Sequence, residues 1–425
     1  ISRYRRSAVI LRVYGEGTAP ISVRGFCLGI ITSPLNLSAL RFHLNILTYI
    51  LPSCHPYLNA PTTSGKAMKF RTRNIFITLL IATAVLGYLN RAGIILQLLP
   101  NAVTNVMESD KISDLGDGMH IVLCGAGGPM PSSTRSGPCV AVIANEKMFV
   151  VDAGAGGARN LGRMRLNTGS IDGVFLTHFH SDHIDGLGQL AMMRWVTGTH
   201  TKPLPVFGPT GVTSVVEGFN LAYGKDAIYR NAHHGDSVAA LTGKGMSPVS
   251  FEVPKNGTKL TVYEKDGLKV EMFSVNHEPI HPAVGYLFTY KGRTALISGD
   301  TTKNENVELF SKNIDLLIHE ALSPELLTIM SESAGIAGNA SGSKIFYDVL
   351  DYHTSPVEVA EIARDAKAKH LLYYHIVPPL DIPGLKTIWL MGVDEVYTDY
   401  TVGEDGTLFS LPENSEEIIE IQSIL

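Results

Sequence analysis

The chain has 425 residues, of which 45% are hydrophobic and 18% charged, which is enough apolar sequence for one large core or two ordinary cores and excludes an intrinsically disordered protein. The net charge of −5 is unevenly distributed, because residues 1–107 carry eleven Lys and Arg against one acid and the remainder therefore carries about −15. An acidic region without a local Lys/Arg cluster disfavours nucleic acid as a partner, since basic side chains hold the phosphate backbone.

The first 67 residues mix Arg with scattered apolar residues and Pro/Ser/Thr-rich patches, without a sustained period. We expect residues 1–67 to be disordered, or to be a non-native extension upstream of the true start. A transit peptide is an alternative, because the stretch is rich in Arg and poor in acids, but it is long and lacks a clear amphipathic helix. Met68 favours an upstream extension, since basic residues and then an apolar run follow it, in the order of an export signal.

Residues 68–99 are predicted to be a signal peptide or a membrane anchor. The apolar run Ile75–Leu89 is short for a membrane span, but a second run, Ala92–Leu99, follows closely, so both alternatives stay open. A buried core helix is the third interpretation. We therefore expect a periplasmic or otherwise exported protein, attached to a membrane through residues 75–99 if the segment is not cleaved. Residues 100–116 are polar and predict a linker.

Residues 117–412 are predicted to form one folded domain, followed by a C-terminal tail at residues 413–425. Short apolar runs bounded by Gly, Pro, Asn and Ser predict strands. These runs are residues 120–124, 139–144, 148–152, 173–176, 203–207, 268–275, 283–290, 294–298, 314–319 and 371–374. Helical patterns at residues 186–196, 212–223 and 356–366 separate them. This order predicts an α+β fold of two packed sheets covered by helices.

Four cysteines are too few for a disulfide framework in a chain of this length, and none shows Cys-x-x-Cys spacing. They are Cys27, Cys54, Cys124 and Cys139. Cys124 and Cys139 could pair if their strands are neighbours. The cysteines therefore do not decide the cellular compartment.

The densest group of candidate ligands begins where the strand at residues 173–176 should end. His178, His180, Asp182 and His183 fall within six residues, and each would need its own partner if buried. His178 and His180 can point together from an extended segment, whereas Asp182 and His183 point elsewhere. This spacing suggests two neighbouring metal positions.

Further motifs follow in an order that resembles the metallo-β-lactamase superfamily. They are Val151-Asp152-Ala153-Gly154, the cluster at His178, His277, Ser298-Gly299-Asp300-Thr301 and His375. The ribonuclease Z and arylsulfatase-like branch is favoured by a second set, namely Leu123 to Pro129, Gly285-Tyr286, His319-Glu320-Ala321 and His353-Thr354. The resemblance implies an αβ/βα four-layer sandwich.

The resemblance also implies the ligands of two zinc ions per chain. One ion would be held by His178, His180 and His277, the other by Asp182, His183 and His375, and Asp300 would bridge both. These nitrogen and carboxylate ligands also tolerate manganese or iron. Asp152 would support the ligands from behind. A hydroxide bridging the metals would be the nucleophile, because metal binding lowers the pKa of water to roughly 7.

Asp182, Glu320 and His353 are the predicted catalytic residues. In the branch that the chain resembles, the motifs of Glu320 and His353 form a carboxylate–imidazole pair that passes a proton to the leaving oxygen. Taken without the resemblance, Glu320 is a salt-bridged strand end and His353 a helix-entry residue. His281 is predicted to line the pocket mouth, and His319 is assigned a structural role.

The leading functional hypothesis is an exported dinuclear zinc hydrolase of phosphodiester or sulfate esters, with a small ester as substrate. The alternative is a 3′ tRNA-processing endoribonuclease, and a lower one is a noncatalytic metal-stabilised binding module. Ribonuclease Z enzymes carry a long arm that grips tRNA, and in the bacterial pattern it follows the Gly-Tyr motif. Here Gly285-Tyr286 runs directly into a strand. A homodimer is a further open expectation.

Overall fold

The structure is a computed structural model that describes residues 66–425. The chain divides into two compact units, Ile1–Ala92 and Gly93–Leu425. Residues 1–65, on which the predicted disordered or non-native extension falls, lie outside the described residues.

From residue 66 onward, three helices precede the first sheet strand: α1 (Lys66–Leu89), α2 (Arg91–Glu108) and α3 (Lys111–Asp114). Within the described part of the chain, only α1 has a window, Thr72–Leu89, that is long and apolar enough to cross a membrane. A signal sequence near an N-terminus has the same properties. The choice between signal peptide and membrane anchor therefore stays a prediction.

The linker predicted at residues 100–116 is helical over most of its length. Leu99, Val103 and Val106 continue the helical spacing of the preceding apolar run, so α2 extends through Pro100 to Glu108. Ile112 in α3 is buried against the catalytic domain. The polar composition of this segment led to the prediction of a linker instead of the C-terminal part of α2 and the helix α3.

The catalytic unit contains fifteen strands and eleven further α-helices. The strands are β1 (Gly118–Gly125), β2 (Cys139–Ala144), β3 (Lys147–Val151), β4 (Ile171–Phe175), β5 (Leu204–Pro209), β6 (Met246–Phe251), β7 (Leu260–Lys265), β8 (Leu268–Ser274), β9 (Val284–Tyr290), β10 (Arg293–Ile297), β11 (Leu316–Leu322), β12 (His370–Val377), β13 (Tyr400–Val402), β14 (Leu408–Pro412) and β15 (Ile419–Ile421). The helices are α4 (Gly157–Arg163), α5 (Ser181–Ile184), α6 (Leu187–Thr197), α7 (Val212–Ala222), α8 (Gly224–His234), α9 (Asp236–Ala239), α10 (Glu305–Phe310), α11 (Pro324–Ile336), α12 (Ala340–Asp348), α13 (Pro356–Ala366) and α14 (Leu385–Trp389).

Two sheets form the centre of this unit. The first has eight strands in the order β15-β14-β1-β2-β3-β4-β5-β6, and the second has seven in the order β13-β12-β11-β10-β9-β8-β7. Side chains from both sheets share one buried cluster, in which Phe175 of the first sheet lies 5.3 Å from Tyr286 of the second, between ring centroids. Separate apolar clusters lie under the helices on each outer face. The predicted four-layer α+β sandwich is confirmed.

One feature was absent from the predicted architecture, and one pairing that the sequence left open is formed. β15 pairs antiparallel with β14, so part of the predicted tail at residues 413–425 is an edge strand of the first sheet. Its short Ile-Glu-Ile sequence carries little strand signal by itself. Cys124 and Cys139 lie on the paired strands β1 and β2 and form a disulfide, which closes a loop with a sequence separation of 15 residues.

Candidate metal centre

The predicted ligands converge from turns that follow strands of both sheets. The chain turns sharply after β4, where His178 and His180 precede the short helix α5, and Asp182 and His183 lie in its first turn. His277 follows β8 and Asp300 follows β10, while His375 lies within β12. The strands therefore bring together residues that are up to about 200 positions apart in the chain.

The side chains form two groups of candidate metal ligands. In each group the ligand atoms lie within 4.8 Å of one another; the first comprises His178, His180, His277 and Asp300, and the second Asp182, His183 and His375. Asp300 Oδ2 lies between them, 3.2 Å from His183 Nε2 and 3.3 Å from His375 Nε2 on one side. On the other side it lies 3.8 Å from His178 Nε2 and 3.9 Å from His277 Nε2. This is the position that a bridging carboxylate requires.

The residues of both groups fit a divalent cation because several of their buried polar atoms have no hydrogen-bond partner. These atoms are His178 Nε2, Asp182 Oδ2, His183 Nε2, Asp300 Oδ1 and His375 Nε2. Buried polar atoms are almost always paired, since desolvation without compensation is costly. Neutral imidazole nitrogens and carboxylate oxygens that point at one another are a donor set for zinc and similar divalent ions.

Burial and neighbouring charges set the ionisation of the cluster. Burial holds the pKa of His178 well below its ordinary value, and repulsion from His183 adds to this effect. Burial opposes a charge on Asp300, but His375 and His183 nonetheless hold the pKa of its carboxyl well below its usual range. Burial likewise opposes a charge on His375, but Asp300 and Asp182 raise its pKa to about 9. Protons therefore compensate the carboxylates in the metal-free protein, and a bound cation would displace them.

A layer of hydrogen bonds fixes the ligands from behind. Asp152 adopts a positive φ of 57°, and its carboxylate accepts bonds from the backbone N–H and the hydroxyl of Thr177, at 2.9 and 2.8 Å. The same carboxylate lies 2.8 Å from His183 Nδ1. His277 Nδ1 lies 2.9 Å from the carbonyl oxygen of Tyr352, to which it donates, so that Nε2 faces the cluster. Such partners orient a ligating imidazole and select its tautomer.

Glu320 and His353 lie together beside the cluster. Glu320 is fully buried within β11, and its Oε1 is 3.1 Å from His353 Nδ1. The backbone N–H groups of Thr354 and Thr301 donate to the same oxygen, at 3.1 and 3.3 Å. The ring of His353 lies 5.7 Å from that of His375, between centroids. His353 therefore lies between the buried carboxylate and the cavity that the candidate ligands line.

A cavity of about 280 Å³ opens onto the cluster. One side is polar and is formed by His180, Asp182, Asp300, His353 and His375. The other side is apolar and includes Met130, Leu322, Leu327, Ile345, Phe346 and Val349. The cavity therefore brings the candidate ligands and a group of apolar side chains into one lining.

His281, predicted at the pocket mouth, is exposed and does not line this cavity. Its place at the pocket mouth stays a prediction. His319 is buried, with Nδ1 2.7 Å from the carbonyl oxygen of Glu320, in keeping with a structural role.

Two contributors to the site were missed. Tyr352 supplies the carbonyl that holds His277, and its ring packs edge-on to the His277 ring with centroids 4.8 Å apart. Gly128 leaves space for His375, because a Cβ at this position would lie 2.7 Å from Val377 Cγ2 and 3.0 Å from His375 Cε1. Gly128 was visible in the Gly-Gly-Pro motif, whereas nothing in the local sequence indicated the role of Tyr352.

Comparison with known proteins agrees with the fold. A family model described as a β-lactamase superfamily domain matches residues 147–376. A protein named Ribonuclease Z from Mycobacterium bovis (strain BCG / Pasteur 1173P2) is 31% identical over 273 residues, covering 64% of this chain and 90% of that protein. A second Ribonuclease Z, from Mycobacterium marinum, is 30% identical with the same coverage.

One solved structure is similar to this chain in fold. It is the metallo-β-lactamase fold protein YhfI from Bacillus subtilis, with a TM-score of 0.50 and 18% identity, covering 69% of this chain and 99% of that chain. The chain belongs to the metallo-β-lactamase superfamily, and it is a metal-dependent hydrolase related to ribonuclease Z.

Proposed function

We propose that this protein hydrolyses phosphodiester bonds with two zinc ions, and that an RNA 3′ end of the kind processed by ribonuclease Z is its first candidate substrate. The observation that carries the proposal is the Glu320–His353 pair, which lies beside a complete set of seven candidate ligands. The sequence relatives named Ribonuclease Z support the choice of a phosphodiester.

His178, His180 and His277 would hold one ion, Asp182, His183 and His375 the other, and Asp300 would contact both. Manganese or iron would suit the same ligands. When bound, two such cations lower the pKa of water to roughly 7 and offset negative charge on the phosphoryl oxygens.

The Glu320–His353 pair serves the departing group. As the phosphorus–oxygen bond to the leaving group breaks, the leaving oxygen gains an electron pair and takes the proton from His353 Nε2. The carboxylate of Glu320, whose Oε1 lies 3.1 Å from His353 Nδ1, would hold the imidazole in place at the cavity. The oxygen of water becomes bonded to phosphorus, and its proton restores the imidazolium at the end of the cycle. General-acid assistance of this kind typically contributes 10²–10⁴-fold.

An exported hydrolase of small phosphodiesters is the second candidate, because two features of this chain favour it. The Cys124–Cys139 disulfide is typical of oxidising compartments, and helix α1 has the composition of an export signal or anchor. In addition, β9 passes to β10 through the two-residue turn at Lys291 and Gly292, so no RNA-gripping arm is inserted there.

A substrate panel separates the two candidates. The purified, zinc-loaded full chain would be assayed on precursor tRNA, bis(p-nitrophenyl) phosphate and p-nitrophenyl sulfate, with a His178→Ala variant as the background control. Cleavage of precursor tRNA at its 3′ side would support the first candidate. Turnover of only the small diester would support the second, and turnover of the sulfate alone would contradict phosphodiester hydrolysis. Fractionation of cells expressing the chain tests export independently.

A further inference from the structure

The cavity at the metal centre is larger than a phosphoryl group requires. A water molecule occupies about 30 Å³ of the liquid, so a cavity of about 280 Å³ has the volume of about nine waters. The candidate ligands are a minority of the residues that line it. The remaining volume therefore faces side chains that have no role in holding a metal.

These side chains form a continuous apolar surface, here called the apolar wall, made by Met130, Leu322, Leu327, Ile345, Phe346 and Val349. Leu322 and Leu327 are buried and pack in one apolar cluster with Met130, Phe346 and Val349. The base of the wall is therefore formed by buried side chains of β11 and α11.

The rim of the wall comes from helix α12, in the segment that joins β11 to the site residues Tyr352 and His353. Ile345 lines the cavity although 59% of its surface is exposed to solvent. Most of the Ile345 side chain stays in contact with water in the free protein, so a ligand that covered it would remove further apolar area from water.

We propose that the apolar wall is a subsite for a carbon-rich substituent of the scissile phosphate. This inference rests on the proposed phosphodiester hydrolysis and adds the class of group that flanks the phosphate. The apolar wall and the candidate ligands line the same cavity. When a phosphate lies at the ligands, the group esterified to it must therefore extend into the rest of this cavity. An alkyl or aryl group of a small diester and the ring face of an unstacked base in RNA supply the same apolar chemistry.

Affinity measurements with non-hydrolysable probes test the subsite. The zinc-loaded full chain would be titrated calorimetrically with methylphosphonate, n-butylphosphonate and phenylphosphonate, which share the same metal-binding head. Each fully buried methylene is worth about fourfold in affinity. Because the wall covers only part of a ligand, we expect the butyl and phenyl compounds to bind at least tenfold more tightly than the methyl compound. Uridine 5′-phosphate distinguishes a nucleic acid base from the alkyl or aryl group of a small diester. If it binds more tightly than methylphosphonate by a factor like that of phenylphosphonate, the wall accepts a base. If only the butyl and phenyl compounds bind more tightly, the wall accepts an alkyl or aryl group.

Matched variants locate the effect. Ile345→Asn should reduce the gain for butyl and phenyl to threefold or less while leaving methylphosphonate affinity within twofold of the unsubstituted chain. Ile329→Asn is the control, since Ile329 on the neighbouring helix α11 is 56% exposed but does not line the cavity. Met130→Ser, on a separate segment, provides a second test if Ile345→Asn is poorly folded.

Equal affinities across the three phosphonates, or an unchanged gain in both Ile345→Asn and Met130→Ser, would overturn the subsite. These titrations need no turnover. A chain that hydrolyses no diester but shows the gain and loses it in the variants would therefore contradict the proposed function and not the subsite.

Discussion

Replacement of His353 by Ala should separate the chemistry of the leaving group from assembly of the metal centre. The His353 ring is in contact with Glu320 and lies near His375, but it belongs to neither group of candidate ligands. Its removal should therefore leave two metals per chain. For a diester with an alkyl leaving group, loss of the general acid should lower kcat by about 10²–10⁴-fold, or roughly 3–5 kcal/mol of transition-state stabilisation.

The leaving group decides the size of the effect. p-Nitrophenolate departs without a proton, so the rate on bis(p-nitrophenyl) phosphate should fall by less than about tenfold in the same variant. The assay compares kcat for activated and unactivated diesters in His353→Ala, with metal content measured on the same preparation. Ile329→Asn serves as a control for a substitution that lies outside the cavity. Equal rate losses for both diesters, or loss of metal, would show that His353 holds the site together and does not deliver a proton.

Three further outcomes follow from contacts at the site and away from it. Asp300→Ala should reduce the metal content from two ions per chain to one or fewer, because its Oδ2 lies between the two groups of ligands; retention of both ions by elemental analysis would refute the bridge. Replacing Cys124 and Cys139 together by Ala should lower the free energy of unfolding by about 3 kcal/mol, which is the value expected for a disulfide that closes a 15-residue loop. Urea denaturation measures this change, and adding reductant to the double variant should not lower the free energy of unfolding further. Burial opposes a charge on Asp315, but Lys369 lowers the pKa of its carboxyl. The stability that the charged Asp315 contributes is therefore present above the ordinary Asp pKa of 3.8 and is lost as pH falls through the lower folded pKa. Asp315→Asn should flatten the acid limb of the curve of unfolding free energy against pH, and an unchanged limb would contradict this.

The local sequence was sufficient to predict the part of the site that one turn supplies. His178, His180, Asp182 and His183 follow a short buried strand, and a turn after a strand can place them together without any other segment. His277 and Asp300 are different, because their position depends on the pairing of β8, β9 and β10. The order of motifs in a resembling family identified them, whereas periodicity alone could not.

The helices α11 and α12 were not predicted, although their start signals are present in the sequence. Ser323 caps α11 and Pro324 occupies its first turn, while Asn339 caps α12. The intervening Ser- and Gly-rich sequence weakens the helical pattern, and α12 has no buried residue to mark a core-facing side. Helices with so little buried surface depend on tertiary contacts, which a local pattern does not reveal. The apolar wall was missed for the same reason.

The choice between RNA and a small diester depends on surfaces outside the metal centre. The ligands and the Glu320–His353 pair act on one phosphate and its leaving oxygen, so their geometry is indifferent to the length of the attached chain. Binding a polynucleotide requires basic side chains along its path, and residues 108–425 carry a net negative charge. A small diester needs only the cavity and its apolar wall. Strong inhibition of precursor tRNA cleavage by moderate salt would therefore indicate a phosphate-binding path on the surface, whereas salt-insensitive turnover of a small diester would place specificity within the cavity itself.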